Sequence, residues 1–202
     1  MKKVLSVAIV ATTLYSCGAS KIARNDYKVN DSVSRAEWKG AAKDHSHIGS
    51  FKVTGGLSTT TEGVVNGGDF TIPIASIEDY DLQDPLKKAL LDDLLSENFF
   101  NAILHPNANF HINTVVPYSS KDTTSVPGAN YLVTGDFSML GKAHTISFPA
   151  RITKTPEGLS TLANLKIDRT RWGMTKYSDP SQPLYILPDV NIHLDVKAAM
   201  LK

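Results

Sequence analysis

The feature that most constrains the fold is an alternation of apolar and polar residues that recurs along most of the chain. In six segments, apolar side chains recur at every second position. These segments are 51–57, 70–74, 110–116, 131–137, 146–152 and 190–196. Because successive side chains of a β-strand point to opposite faces, a period of two predicts strands with one apolar face.

Short turn signals separate the predicted strands. Clusters of glycine, asparagine or proline stand at 66–69, 127–128, 141–142 and 156–158, and such clusters favour tight reversals of the chain. Many antiparallel strands at this spacing indicate a sandwich or a barrel. We therefore predict a fold dominated by β-structure.

One segment has a helical period instead. Asp84 and Pro85 supply an N-cap and a proline at the first helical position. Leucines then recur at three- and four-residue spacing, which predicts an amphipathic helix of roughly three turns. The leucines are Leu86, Leu90, Leu91, Leu94 and Leu95. This apolar stripe needs a partner, so we expect the helix to lie across the sheet or to plug one end of a barrel.

The first residues differ from the rest of the chain. Lys2 and Lys3 precede an uncharged, mostly apolar run over 4–15. The run is shorter than the roughly 20 residues of a membrane-spanning helix, and it has the anatomy of a secretory signal peptide. It ends in Leu14-Tyr15-Ser16-Cys17, which resembles a bacterial lipoprotein box whose cysteine sulfur receives diacylglycerol.

These features predict three regions. We expect a signal peptide over 1–16, a lipidated N-terminus at Cys17 with a flexible tether over 17–30, and a single domain over 31–202. An ordinary secreted protein, whose cysteine happens to lie near the cleavage site, is the alternative.

Charge and cysteine content exclude two classes of function. Lys+Arg is 21 and Asp+Glu is 20, so the formal net charge is +1, whereas a general nucleic-acid binder needs a basic face. A single cysteine excludes a disulfide within the chain and a multi-cysteine metal site. We therefore expect no nucleic-acid partner.

Two clusters carry metal-binding side chains without completing a site. His45 and His47 share one face of a strand, but zinc needs a third ligand, which only a structure could assign. The acids before the predicted helix lack the glycine and terminal glutamate of an EF-hand, and acids near a helix N-terminus are favourable through the helix dipole alone. We predict no metal. The acids are Glu78, Asp79, Asp81 and Asp84.

The stretch 167–177 places arginines beside aromatic residues. Arg169 and Arg171 flank Trp172 and Tyr177, and arginine beside an aromatic ring can bind an anionic or polar head group. A purely structural strand and turn is the alternative for this stretch.

Four blocks of the sequence resemble the YceI-like family of lipid-binding, lipocalin-like proteins. Each block is loose alone, but their order and spacing over 34–197 are specific. The blocks are 34–38 with 47–56; 90–100 with His105, Pro106 and Phe110; 133–148; and 168–173.

The resemblance implies an extended antiparallel barrel of about eight strands with one helix. It also implies an elongated apolar cavity that holds a polyisoprenoid, a quinone or a fatty-acid derivative. The strand alternation then predicts the lining residues, and we expect His47, Arg169 and Trp172 to meet the ligand's head group. The predicted lining residues are Phe51, Val53, Phe70, Ile72, Phe110, Ile112, Tyr131, Val133 and Phe148.

We therefore predict a protein that binds, sequesters or transports an amphiphilic lipid at the bacterial cell envelope. It would be exported and anchored through Cys17, on the outer membrane or facing the periplasm, with no cofactor other than the bound lipid and no catalytic residue. Two alternatives are an enzyme that modifies such a lipid through His47 or the region of Arg169, and an envelope stress or surface protein without a ligand. The sequence does not determine the oligomeric state, and a dimer is one of the states it allows.

Overall fold

The computed structural model describes residues 24–119 and 125–201. This part of the chain forms eleven strands and one α-helix, α1, Leu86–Leu95. Two short 3₁₀ turns lie at Ile74–Ser76 and Arg169–Trp172. The strands are β1 Arg24–Val29, β2 Arg35–Ala41, β3 Ser46–Lys52, β4 Thr54–Thr60, β5 Val65–Pro73, β6 Glu78–Asp79, β7 Asn107–Pro117, β8 Tyr131–Met139, β9 Lys142–Thr155, β10 Gly158–Asp168 and β11 Asp189–Met200.

Eight of these strands close into an antiparallel barrel. The neighbours run β1-β4-β5-β7-β8-β9-β10-β11, and β11 pairs back with β1. Closure removes the free sheet edges that would otherwise invite aggregation. The structure thus confirms the predicted barrel of eight strands with one helix.

β2 and β3 extend the barrel wall beyond the closed part. One break in the wall separates β1 from β2, and another separates β3 from β4. β1 and β2 both pair with β11, so they act as two halves of one bent strand. β3 and β4 are likewise two halves that separate at Val53. The alternation over 51–57 therefore crosses a break, and the prediction of one continuous strand there is wrong.

β1 lies in the stretch predicted as a flexible tether. Its residues Arg24–Val29 pair with β4 on one side, and the end of the strand pairs with β11 on the other. The tether prediction is wrong for these residues, because Tyr27 and Val29 bury apolar side chains. The predicted signal peptide and Cys17 lie outside the described residues.

Three of the four turn signals fall in turns, and one does not. The residues 66–69 form part of β5, paired with β4, and the chain reverses instead just before them. There Thr60 N–H donates to Val64 O at 2.8 Å, and Gly63 takes the left-handed backbone that favours glycine, with φ +88°. The prediction of a turn at 66–69 is therefore wrong, because this glycine pair lies inside a strand.

The helix covers one end of the barrel. It begins at Leu86 with Pro85 as its N-cap residue and no side-chain cap, so the predicted Asp84 cap is wrong. None of its residues is fully buried, yet Leu90 and Leu94 pack against the cluster around Trp38. No helix in the described ranges is long and apolar enough to cross a membrane.

A compact cluster closes the opposite end. We call this cluster the floor, defined by Tyr27, Ala150, Leu159, Ala163 and Ala198, all of which are buried. Leu159 pairs with Ala198 on β11, far along the same two strands from the helix-covered end. β1 also starts at this end, where its first residues pair with the last residues of β4.

Candidate functional site

The barrel encloses an apolar cavity of about 310 Å³. That volume lies at the lower end of the roughly 300–1,000 Å³ typical of small-molecule sites. Every barrel strand except β1 contributes to its wall, together with Leu90 and Leu94 of α1. Only six of its 40 lining residues are polar or charged, so water inside it would find few partners. The six are His45, Ser46, His47, Asp93, Thr161 and Arg169.

The structure places eight of the nine predicted lining residues on the cavity wall, all except Tyr131. Tyr131 is the first residue of β8 and pairs with Pro117 and Ala150. It lies before the part of the strand that borders the cavity, which begins at Val133. Its place in the alternation was right, but alternation does not show how far along a strand a cavity extends.

Sequence reasoning missed other parts of the wall. Trp38, Ile77 and the inward face of β11 also line the cavity. The β11 face could have been found, since it has the same period-two alternation as the other strands. Ile77 could not, because it follows a 3₁₀ turn that carries no sequence period.

The cavity reaches the surface between β2 and β3. His45 lines the cavity and is also exposed, so the opening lies beside it. Ser46, His47 and Asp93 of α1 lie at the same end. We call these four residues the mouth. Polar groups are thus concentrated at one end of an otherwise apolar chamber.

Arg169 does not serve as a free head-group ligand. It is 3% exposed, and its guanidinium donates to the backbone oxygens of Leu187 (3.3 Å), Met174 (2.6 Å), Lys176 (3.0 Å) and Ile186 (2.9 Å). Burial lowers the pKa of this guanidinium, while the charge of Asp168 opposes that change. Arg169 therefore holds together the two ends of the 174–187 loop, and the head-group prediction for it is wrong.

Trp172 is also a structural residue. It is 1% exposed, does not line the cavity, and donates from Nε1 to the backbone oxygen of Phe137 at 3.0 Å. Its ring meets Phe137 edge to face. Because its one polar hydrogen is already bonded, the head-group prediction for Trp172 is wrong.

His47 does lie at the mouth, with a partly exposed side chain. Its Nδ1 lies 3.2 Å from Asp81 Oδ2, and Ile48 N–H donates to Asp81 Oδ1 at 3.1 Å. Burial alone would raise the pKa of the Asp81 carboxyl, but the hydrogen bonds to Ile48 N–H and His47 help to hold that pKa below its ordinary value. Of the three predicted head-group residues, His47 and Arg169 line the cavity, and of these two only His47 is partly exposed.

Of the other histidines, His45 lies beside His47, with ring centroids 5.3 Å apart. His45 Nδ1 pairs with exposed Asp44. His111, His144 and His193 make hydrogen bonds elsewhere on the barrel. The histidine cluster considered from the sequence does not form among these residues, and carboxylates approach His47 instead.

Asp79 is held by strand pairing and by a hydrogen bond from the segment that follows it. It belongs to β6, which pairs with β3 at Gly49, and its Oδ1 accepts a hydrogen bond from Leu82 N–H at 2.8 Å. The first turn of α1 contains no acidic residue. The helix-dipole interpretation of the acids that precede α1 stays a prediction.

Comparison with known proteins agrees with this architecture. A model of the YceI-like domain matches residues 17–198. Burkholderia cenocepacia BcnA is similar in structure, with a TM-score of 0.67 and 19% identity over 86% of this chain and 99% of that one. No match was found among curated proteins.

Two solved structures of a YceI protein are also similar. A mutant CJ YceI protein with a monobromobimane guest has a TM-score of 0.53 at 17% identity, over 100% of this chain and 99% of that one. The Campylobacter jejuni YceI protein has a TM-score of 0.50 at 17% identity, with the same coverage. Identities this low show a shared fold only. Because the domain model spans most of the sequence, the chain belongs to the YceI-like domain family.

Proposed function

We propose that this protein binds the hydrocarbon tail of an amphiphilic lipid in its barrel cavity, as a carrier or a sequestering protein. The observation that carries the proposal is the continuous apolar wall with polar residues concentrated at the mouth. Each CH₂ group removed from water contributes about 0.8 kcal/mol. A chain of several carbons would therefore bind without any catalytic group.

The same arrangement favours one orientation of the ligand. A tail pointing to the floor meets apolar side chains, whereas a polar head buried there would lose its hydrogen bonds to water. We infer that the head stays at the mouth, near His47 and Ser46. An isoprenoid, a quinone or a fatty-acid derivative has this polarity.

An enzyme is the second candidate, because His47 and Asp81 form a histidine–carboxylate pair at the mouth. Such a pair can transfer a proton to or from a bound head group. A lipid-binding protein and a lipid-modifying enzyme differ in whether the ligand is chemically converted. A binding protein returns its ligand unchanged, whereas conversion of the lipid that is lost in His47→Ala would establish catalysis.

We further propose export to the bacterial cell envelope and acylation at Cys17. Support comes from the positive residues and apolar run that precede the chain's single cysteine. The several acyl chains of a lipoprotein would anchor it stably, whereas one chain alone binds a membrane marginally. Cys17→Ser should move the protein from the membrane fraction to the soluble fraction. A variant that stays membrane-bound in high salt would refute the anchor.

The ligand proposal is tested by mass spectrometry of organic extracts from natively purified protein. Ile112→Glu places a carboxylate on the buried wall and should abolish co-purification of lipid, because a charge without a partner is costly there. Val116→Glu is the matched control, since Val116 lies on the same strand and is 47% exposed. Circular dichroism must show both variants folded. A folded Ile112→Glu protein that still retains the wild-type lipid would refute the cavity assignment.

A further inference from the structure

Three side chains from different parts of the chain converge beside the mouth. His47 comes from β3, Asp79 from β6 and Asp81 from the segment after β6. One ligating atom of each lies within 4.8 Å of one atom of each of the others. The sequence does not indicate this combination, because His47 and Asp79 are 32 positions apart. The β3–β6 pairing brings them together in space.

Asp79 is the unusual member of this group. It is 0% exposed, and its Oδ2 has no hydrogen-bond partner among the described residues. The nearby ammonium group of Lys87 donates to the backbone oxygen of Asp79 at 2.6 Å. A buried carboxylate oxygen without a partner costs free energy, so this oxygen requires either a proton or a cation.

The ligand types and their spacing fit a transition-metal ion. Zinc takes imidazole nitrogen and carboxylate oxygen at about 2.0–2.2 Å, which places tetrahedral neighbours about 3.4 Å apart. His47 Nδ1 and Asp81 Oδ2 are 3.2 Å apart. An imidazole among the ligands disfavours calcium and magnesium, which prefer oxygen throughout.

We propose that His47, Asp79 and Asp81 form a binding site for a divalent transition-metal ion, with zinc as the best match. Two carboxylates and a neutral imidazole bring a charge of −2, which the ion neutralises. His47 also lines the cavity, whereas Asp79 and Asp81 do not, so metal uptake by lipid-free protein tests this site separately from the lipid proposal.

A proton held between the two carboxyls is the competing explanation. Such a proton would satisfy the buried oxygen of Asp79 without a metal ion. A bound ion would replace the proton, because carboxylates bind metal in their deprotonated form. The two explanations differ in whether the protein takes up metal.

Isothermal titration of Zn²⁺ into untagged, chelator-treated protein tests the site. We expect one saturable site per chain, with much weaker binding of Ca²⁺ and Mg²⁺. His47→Gln and Asp79→Asn should each lower the affinity at least about tenfold, since loss of even an outer partner of a metal ligand commonly costs about 10–100-fold. His45→Gln is the matched control, because this exposed neighbour pairs with Asp44.

Co²⁺ provides a second readout that does not depend on stability. Bound in place of zinc, it should give visible absorption that is lost in folded His47→Gln protein and kept in His45→Gln protein. Absence of saturable binding to the wild type would overturn the proposal and leave the shared proton as the explanation. Equal losses in the His45 and His47 variants would also overturn it.

Discussion

The hydroxyl of Ser34 forms hydrogen bonds with both backbone groups of Lys197. It accepts a hydrogen bond from Lys197 N–H at 3.0 Å and lies 3.2 Å from Lys197 O, to which it donates. Ser34 stands between β1 and β2, at the bend where Asn30 N–H also donates to Lys197 O at 2.8 Å. One buried side chain thus satisfies the backbone of the barrel's closing seam.

Ser34→Ala should therefore lower the free energy of unfolding by about 1–3 kcal/mol, because the N–H of Lys197 would lose its acceptor. Ser32→Ala is the control, since this nearby hydroxyl is exposed and its loss should stay within about 0.5 kcal/mol. Urea titration measures both values. Equal effects would show that the seam does not depend on the Ser34 hydroxyl.

Arg169→Lys should destabilise the protein by at least about 3 kcal/mol. An ammonium group cannot reach four carbonyls on both ends of a loop, and each hydrogen bond from a charged donor contributes about 1.5–3 kcal/mol. Limited proteolysis should show earlier cleavage within 174–187. Arg171→Lys, at an exposed neighbour, should behave like the wild type. A stable Arg169→Lys protein with an intact loop would contradict the structural role.

Two leucines of α1 differ in exposure, so their replacement by alanine should lower the stability by different amounts. Leu94 lines the cavity without being fully buried, so Leu94→Ala should cost about 1–2 kcal/mol, less than the roughly 2–5 kcal/mol of a core leucine. Leu86→Ala should change little, since Leu86 is 65% exposed. Denaturation of lipid-free protein compares the two. The reverse order of effects would mean that the opposite face of α1 meets the barrel.

Gly49 controls the approach of β6 to β3. A Cβ atom there would lie 1.8 Å from Glu78 O, so Gly49→Ala should push β6 away and separate Asp79 from His47. We expect lower stability by about 1–3 kcal/mol, measured by urea titration. Gly40→Ala is the matched control on β2, because its Cβ would meet nothing within 4 Å. Equal stability of the two variants would contradict the close approach.

The sequence was sufficient for the barrel and most of its wall, because both follow from alternation. Ile112 and Phe148 face inward as their period requires. It was insufficient for Arg169, because an arginine that binds backbone carbonyls has the same local sequence as one that binds a ligand. Likewise the β3–β6 pairing, which brings Asp79 to His47, is a long-range contact without a sequence period.

The direction of β1 has a consequence for how the protein meets a membrane. β1 starts at the floor, and Cys17 is seven Cα steps before Arg24 (24 − 17 = 7), a reach of at most about 25 Å. This reach is shorter than the barrel wall, because the 14 residues of β9 extend about 47 Å. Cys17 therefore stays nearer the floor than the mouth. Under the proposed acylation, an upright barrel would stand on its floor with its opening toward the aqueous compartment. A lipid would then have to leave the bilayer before loading, which favours exchange with soluble donors over direct extraction from the anchoring membrane.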